Sequence, residues 1–377
     1  GALTVGGAII VAAIFEFAGA FLAGGHVTDT VRKGMLDMSL LGREQLIYGM
    51  MASLASAGTL LIGATRFGLP ISTTHAIVGA IVGFGAVAIG IDAVNWPKVL
   101  QISLSWITSP LLAGVIAFAI FHLIRSTILN KSNPVHQIRK YGPAFFFFVF
   151  FIIGLVTLFK GLKHINLDLD LMEALAGSVA LGLIGSGIGA FFIRRVQIGE
   201  ADPDHRFDQV ERIFVVLQIL TACAIAFAHG SNDVANAIGP LAAIVNAVEN
   251  VDLTAKAPVA PWMLAIGGLG IVIGLATWGY RVMETVGKKI TELTPSRGFA
   301  AQLAAASTIV LASRLGIPIS TTHTLVGAVL GVGLARGITA LDLRVVGNIL
   351  ASWIATLPIA AALSVFFYYF FKGLLTA

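Results

Sequence analysis

Apolar residues run through this chain in long blocks, near 4–25, 44–66, 76–91, 98–124, 142–160, 173–193, 212–228, 261–280, 299–315, 324–336 and 345–371. Polar residues gather in breaks at 26–43, 125–141, 194–211 and 281–297. A block of about 20 apolar residues is what an α-helix needs to cross the hydrocarbon of a bilayer, where every backbone N–H and C=O must be bonded within the segment. The pattern therefore predicts an all-α polytopic membrane protein with about 11–12 transmembrane segments. The break at 194–211 mixes Arg195 and Arg206 with Asp202, Asp204 and Asp208, and reads as a solvated linker.

Polar residues also recur inside the apolar pattern. Pro70-Ile71-Ser72-Thr73-Thr74-His75 returns as Pro318-Ile319-Ser320-Thr321-Thr322-His323, and each copy runs on into a Val-Gly-Ala helix through Gly83 or Gly331. Val27-Thr28-Asp29-Thr30-Val31-Arg32-Lys33 has a weaker parallel in Val282-Met283-Glu284-Thr285-Val286-Gly287-Lys288. A repeated plan of this kind predicts two inverted-topology repeats with discontinuous or re-entrant helices. The first is 1–124, the second is 212–377, and connecting transmembrane helices with the polar linker fill 125–211.

Composition confirms lipid as the solvent: 57% of the 377 residues are hydrophobic and 11% are charged. A formal net charge of +5 would suggest nucleic acid in a soluble chain. Here the basic residues sit between apolar blocks and act as topology signals, so no nucleic-acid partner is expected. They are spread over Arg32, Lys33 and Arg43 in one break and Arg125, Lys131, Arg139 and Lys140 in another, which gives no orientation. The lone Cys223 excludes an intrachain disulfide.

Hydroxyl clusters are costly in hydrocarbon and must face protein or a wet cavity. Pro70 suits the first turn of a helix, and Ser72 to Thr74 offer hydroxyls where free N–H groups and the positive dipole end emerge. Ser320 to Thr322 repeat the arrangement. Two such cradles meeting from opposite sides would suit one tetrahedral oxyanion. Hydroxyls of this kind can also bond back to their own helix or join helices, but the duplication favours the cradle.

Between the two copies lies His229-Gly230-Ser231-Asn232-Asp233-Val234-Ala235-Asn236-Ala237-Ile238-Gly239-Pro240. Asn232, Asp233 and Asn236 supply oxygen atoms within about one turn, and Gly230 permits a chain break whose unwound carbonyls could complete the shell of a hard cation. A charged Asp in a membrane span points to such a role, with sodium as its partner; Asn232 or Asp233 can also cap the next helix. Glu16, deep in the first apolar block, must be protonated, paired or solvated. His75 and His323 are read as hydrogen-bond donors, too few for a transition-metal site. Phe145 to Phe148, Phe150 and Phe151 form a lipid or subunit face, and Trp96 and Trp262 suit an interface belt.

Two other classes compete. A passive oxyanion channel needs the donors but gives no reason for Asn232, Asp233 and Asn236. An intramembrane hydrolase could use His229, Asp233 and Ser231, yet leaves the duplicated cradle unexplained.

In order along the chain stand IFE at 14–16, VTDTVRKG at 27–34, ISTTH, GSNDVAN at 230–236 and ISTTH again. This series resembles the inorganic phosphate transporter family over nearly the whole chain. The resemblance implies a transporter rather than an enzyme. It would be a sodium-coupled phosphate symporter working by alternating access, and a homodimer in the cell membrane; a proton-coupled phosphate or sulfate permease is the alternative. Phosphate would be held by Ser72, Thr73, Thr74, Ser320, Thr321, Thr322, Asn232 and Asp233. Sodium would sit at Asn232, Asp233, Asn236, Ser72 and Ser320. Coupling would involve Glu16, Gln302, His75 and His323. The chain departs from the family in Ser231 for Ala and in Gln302, where some members carry a glutamate; an amide holds neither proton nor full charge. A first copy of the GSNDVAN segment is expected upstream of Gly1.

Overall fold

The computed structural model describes residues 2–25, 35–36, 40–158, 169–195, 206–249, 259–314 and 319–375. Among them, eleven helices follow the apolar blocks. They are α1 Val5–Ala23, α2 Arg43–Arg66, α3 Thr73–Ala88, α4 Trp96–Ile124, α5 Pro134–Val156 and α6 Leu171–Arg195, then α7 Arg206–Glu249, α8 Pro261–Lys289, α9 Pro295–Arg314, α10 Thr321–Arg336 and α11 Leu343–Leu375. Eight of these, all but α3, α9 and α10, are long and apolar enough to cross a membrane. The described residues are nearly all helical, and the protein is an integral membrane protein.

α3 and α10 are the short ones. Each has 16 residues, about 24 Å of helix against a hydrocarbon thickness of about 30 Å. Their starts are set by serine. Ser72 and Ser320 take extended backbone angles, and their Oγ atoms accept the N–H of His75 and His323 at 3.2 and 3.1 Å, which satisfies one of the orphan donors of each first turn. Pro70 lies ahead of this cap, outside the first turn that its sequence position suggests. Gly68 at φ 68° turns the chain there, and the Pro70 carbonyl accepts Trp353 Nε1 at 2.9 Å.

The two halves pack reciprocally. α4 lies along α10 and α9, while α11 lies along α3 and α2. In α3 a Cβ at Gly79 or Gly83 would meet the α11 backbone at Leu357 or Ala361; in α10 a Cβ at Gly327 or Gly331 would meet the α4 backbone at Pro110 or Gly114. Lipid tails are as apolar as leucine, so close backbone packing at small residues is what joins helices here.

The expected break at Gly230 does not occur. α7 is one 44-residue helix through Gly230, about 66 Å long, and the block foreseen at 212–228 is only its first part. Gly230 serves packing instead. A Cβ there would collide with the backbone of Glu16, as one at Gly19 would with Phe227, so the pair lets α1 and α7 cross closely. The phenylalanine run is also corrected. Helical periodicity turns Phe145 and Phe146 inward, where Phe145 meets Phe214 and Phe299 at centroid distances of 6.0 and 5.8 Å; of the buried-versus-open extremes, Phe148 is the outward residue. Trp96 and Trp262 stand half-exposed in the first turns of α4 and α8. The break expected at 194–211 is helical at both ends, Arg194 and Arg195 closing α6 and 206–211 opening α7, and there Glu211 caps α9 by accepting Ser296 N at 2.8 Å and Ser296 Oγ at 2.6 Å. The segment 27–34, Pro318, Asp202 and Asp204 lie outside the described residues.

Candidate functional site

His229, Asn232, Asp233 and Asn236 fall at i, i+3, i+4 and i+7 of α7, and therefore share one face of the helix. That face meets the N-termini of α3 and α10. The centre of the cluster is the Asp233 carboxylate, whose side chain is only 4% exposed. Thr73 Oγ1 donates to Asp233 Oδ2 at 2.9 Å from the first residue of α3. Thr321 Oγ1, from the first residue of α10, donates to the same Oδ2 at 3.0 Å and approaches Oδ1 at 3.2 Å. One carboxylate thus receives a hydroxyl from each half of the chain.

The amides tighten this arrangement. Asn232 Nδ2 donates to Asp233 Oδ1 at 2.9 Å and to the Ile319 carbonyl at 3.4 Å. Asn236 Nδ2 donates to Thr73 Oγ1 at 3.1 Å and Thr74 Oγ1 at 3.4 Å, and Thr74 Oγ1 donates to the Ile319 carbonyl at 3.5 Å. All of Asn232, Asp233, Asn236, Thr74 and Thr321 are buried. A charge at such depth is expensive, and two positive helix ends aimed at it offset part of that cost.

A second carboxylate joins from α1. His229 Nε2 lies 3.2 Å from Asp233 Oδ2, and His229 Nδ1 lies 3.2 Å from Glu16 Oε1. The three side chains form a Glu16–His229–Asp233 line, in which the imidazole side chain is 33% exposed and the two carboxylates 12% and 4%. Glu16 is thus paired, one of the three states its depth allowed. The bridging role of His229 was not foreseen in the sequence, although its i, i+4 spacing from Asp233 was there to be read.

The other sequence candidates are placed as follows. Ser72 and Ser320 touch the site's helices as caps through their Oγ atoms. Ser231 Oγ donates back to the Ala228 carbonyl at 2.8 Å. Thr322 is half-buried and stands outside the Asp233 hydrogen-bond cluster. Gln302 accepts Thr221 Oγ1 at 2.8 Å; twelve residues along α7 from Asp233, this is about 18 Å up the axis and apart from the cluster. His75 and His323 sit behind the threonines with their rings in contact.

Hydroxyls and helix ends of two elements converge on one carboxylate, which shares a face of α7 with the amide side chains of Asn232 and Asn236. Among the described residues no group of three or more His, Cys, Asp or Glu side chains forms a metal centre.

The model of the phosphate transporter family matches residues 1–364. A protein named as a phosphate permease from Haemophilus influenzae is 46% identical over 372 residues, covering 98% of this chain and 89% of its own. A chloroplast inorganic phosphate transporter from Arabidopsis thaliana is 40% identical over 405 residues, covering 100% of this chain and 68% of its own. Among solved structures, one described as the sodium-dependent phosphate transporter superposes with a TM-score of 0.89 at 40% identity, over 98% of this chain and 91% of that one.

Proposed function

The chain belongs to the phosphate transporter family, and on that premise we propose that it is a sodium-coupled symporter of inorganic phosphate in the cell membrane, working by alternating access between two inverted repeats. The observation that carries this reading is the shared carboxylate: Thr73 and Thr321, from α3 and α10, both reach Asp233 Oδ2. A carboxylate is an oxyanion, and here it stands where donors of both halves converge. Each hydroxyl has one proton to donate, so on binding it would turn from Asp233 to a phosphate oxygen in the same place.

Sodium would sit on the α7 face. Asp233 supplies charge and oxygen, and because the amide nitrogens of Asn232 and Asn236 donate elsewhere, their amide oxygens, with the Ser72 and Ser320 hydroxyls at the two helix starts, are the further hard ligands. Bound sodium cancels the anion's charge, so that neither crosses efficiently alone. The repeats would be 1–124 and 212–377, with 125–211 connecting them, and the reciprocal packing of α4 with α10 and of α11 with α3 supports this division. Two copies of the chain would form the working unit.

A proton-coupled version has one observation in its favour, the Glu16–His229–Asp233 line, which could pass a proton where sodium otherwise binds. Uptake of labelled phosphate into liposomes separates the two. Accumulation driven by an inward sodium gradient at equal pH supports sodium coupling; accumulation that needs only a proton gradient sinks it. Equilibration with neither gradient would mean a passive oxyanion channel.

A further inference from the structure

His75 and His323 lie two residues beyond Thr73 and Thr321, about 200° round each helix, on the side away from Asp233. Their ring centroids are 4.3 Å apart at an interplanar angle of 74°. His75 packs on Trp106 of α4 at 3.6 Å, and His323 stacks on Trp353 of α11 at 3.5 Å and 17°. The four rings form one buried row, with exposures of 6% for Trp106, 4% for His75, 1% for His323 and 9% for Trp353.

The row crosses between the halves at each end. Trp353, in the second half, donates its Nε1 to the Pro70 carbonyl ahead of α3. His323 Nδ1 lies 3.5 Å from the Trp106 carbonyl of the first half. Neither nitrogen of His75 nor His323 Nε2 has a hydrogen-bond partner of good geometry, and the polar contact of His75 with the Trp353 backbone is a loose one. What the pair contributes is therefore chiefly ring contact.

From this geometry we infer that His75 and His323, wedged between Trp106 and Trp353, are positioning residues that set the spacing of the α3 and α10 N-termini and so hold Thr73 and Thr321 on one ligand. They touch neither phosphate nor cation. The inference rests on the proposed phosphate site. Its physical basis is packing: close-packed interiors transmit small displacements with little slack, and the threonine hydroxyls lie one turn or less from the rings. If a ring is lost, the two helix ends lose their common spacer and their hydroxyls no longer converge.

The test uses the full-length protein with labelled phosphate, by direct binding in detergent and by uptake in sodium-loaded assays. His75→Ala and His323→Ala should each raise the phosphate KM and Kd about fivefold to tenfold, the effect of losing about one aligned hydrogen bond, with maximal uptake rate nearly unchanged. His75→Phe and His323→Phe keep a ring in the row and should return both constants to wild-type values. His75→Gln and His323→Gln keep polarity without a ring and should behave as the alanine variants. Phenylalanine variants as impaired as alanine would overturn the inference, because nitrogen chemistry would then be what matters. Glutamine variants at wild-type affinity would overturn it as well. If the alanine proteins do not fold, the phenylalanine and glutamine pair decides by the same two outcomes. A wild type that binds no phosphate sinks the proposed function and this inference with it; a wild type that binds and alanine variants that bind equally sink the inference alone.

Discussion

Thr73 and Thr321 donate to the same atom, Asp233 Oδ2, at 2.9 and 3.0 Å from the first turns of two different helices. The repeated hydroxyl motif therefore acts as a convergent pair, and a single side chain of α7 registers both members.

Replacing both threonines by valine tests this convergence directly. Volume and branching are kept while one donor is removed from each half. Phosphate affinity should fall by about 0.5 to 1.5 kcal/mol for each lost bond, measured as Kd on protein shown to be folded by its thermal transition. Unchanged affinity in the double variant would show that the hydroxyls do not hold the anion.

Asp233→Asn keeps shape and hydrogen-bonding capacity but deletes the buried charge. Transport should then stop or lose its dependence on sodium, read as phosphate uptake against sodium concentration. A wild-type sodium activation curve would remove Asp233 from the cation's ligands.

Phosphate and sulfate differ near neutral pH in a proton that phosphate still carries, and Asp233 is the strong acceptor at the site. Phosphate should outcompete sulfate in the wild type. Asp233→Asn should narrow the gap by about 1 to 3 kcal/mol, the cost of an unpaired donor. Competition of unlabelled sulfate against labelled phosphate on both proteins measures it, and equal inhibition in the wild type would indicate a general oxyanion permease.

Gly331→Val should destabilise the fold by about 1 to 3 kcal/mol or more, because the new side chain would drive α10 off the α4 backbone at Gly114. Gly58→Ala in α2, where nothing lies within 4 Å of the added Cβ, should be neutral or stabilising by up to about 1 kcal/mol. A comparison of thermal transitions in one detergent reads both. Equal effects of the two would mean that the α4–α10 contact is not close-packed.

The class of the molecule was legible in one dimension because hydrocarbon enforces it: a block of apolar residues long enough to span must be a helix, and the helix bounds of α1, α2 and α4 follow their blocks within a few residues. The serine caps are local chemistry as well, a hydroxyl ahead of a helical run satisfying N–H groups only a turn away, but the duplication in the sequence favours a cradle over such back-bonding and Pro70 suggests an earlier helix start. Local chemistry of this sort travels with the chain. Gly230 shows where it stops. In sequence a glycine before polar residues inside a span reads as a break, and what decided otherwise was the backbone of Glu16, remote in the chain, which needs that space for α1 to cross α7.

The same holds for the site. Its residue types, two hydroxyl clusters and an Asn-Asp-Asn stripe, were set by sequence alone, and so was the expectation that the two clusters belong to one ligand. Only tertiary packing decided that Thr73 and Thr321 reach one oxygen of Asp233, that His229 bridges Glu16 to Asp233, and that Gln302 lies with Thr221 instead. Each of these depends on the distance between side chains on different helices, and that distance is fixed by how closely glycine-lined backbones approach, a quantity that no stretch of sequence contains by itself.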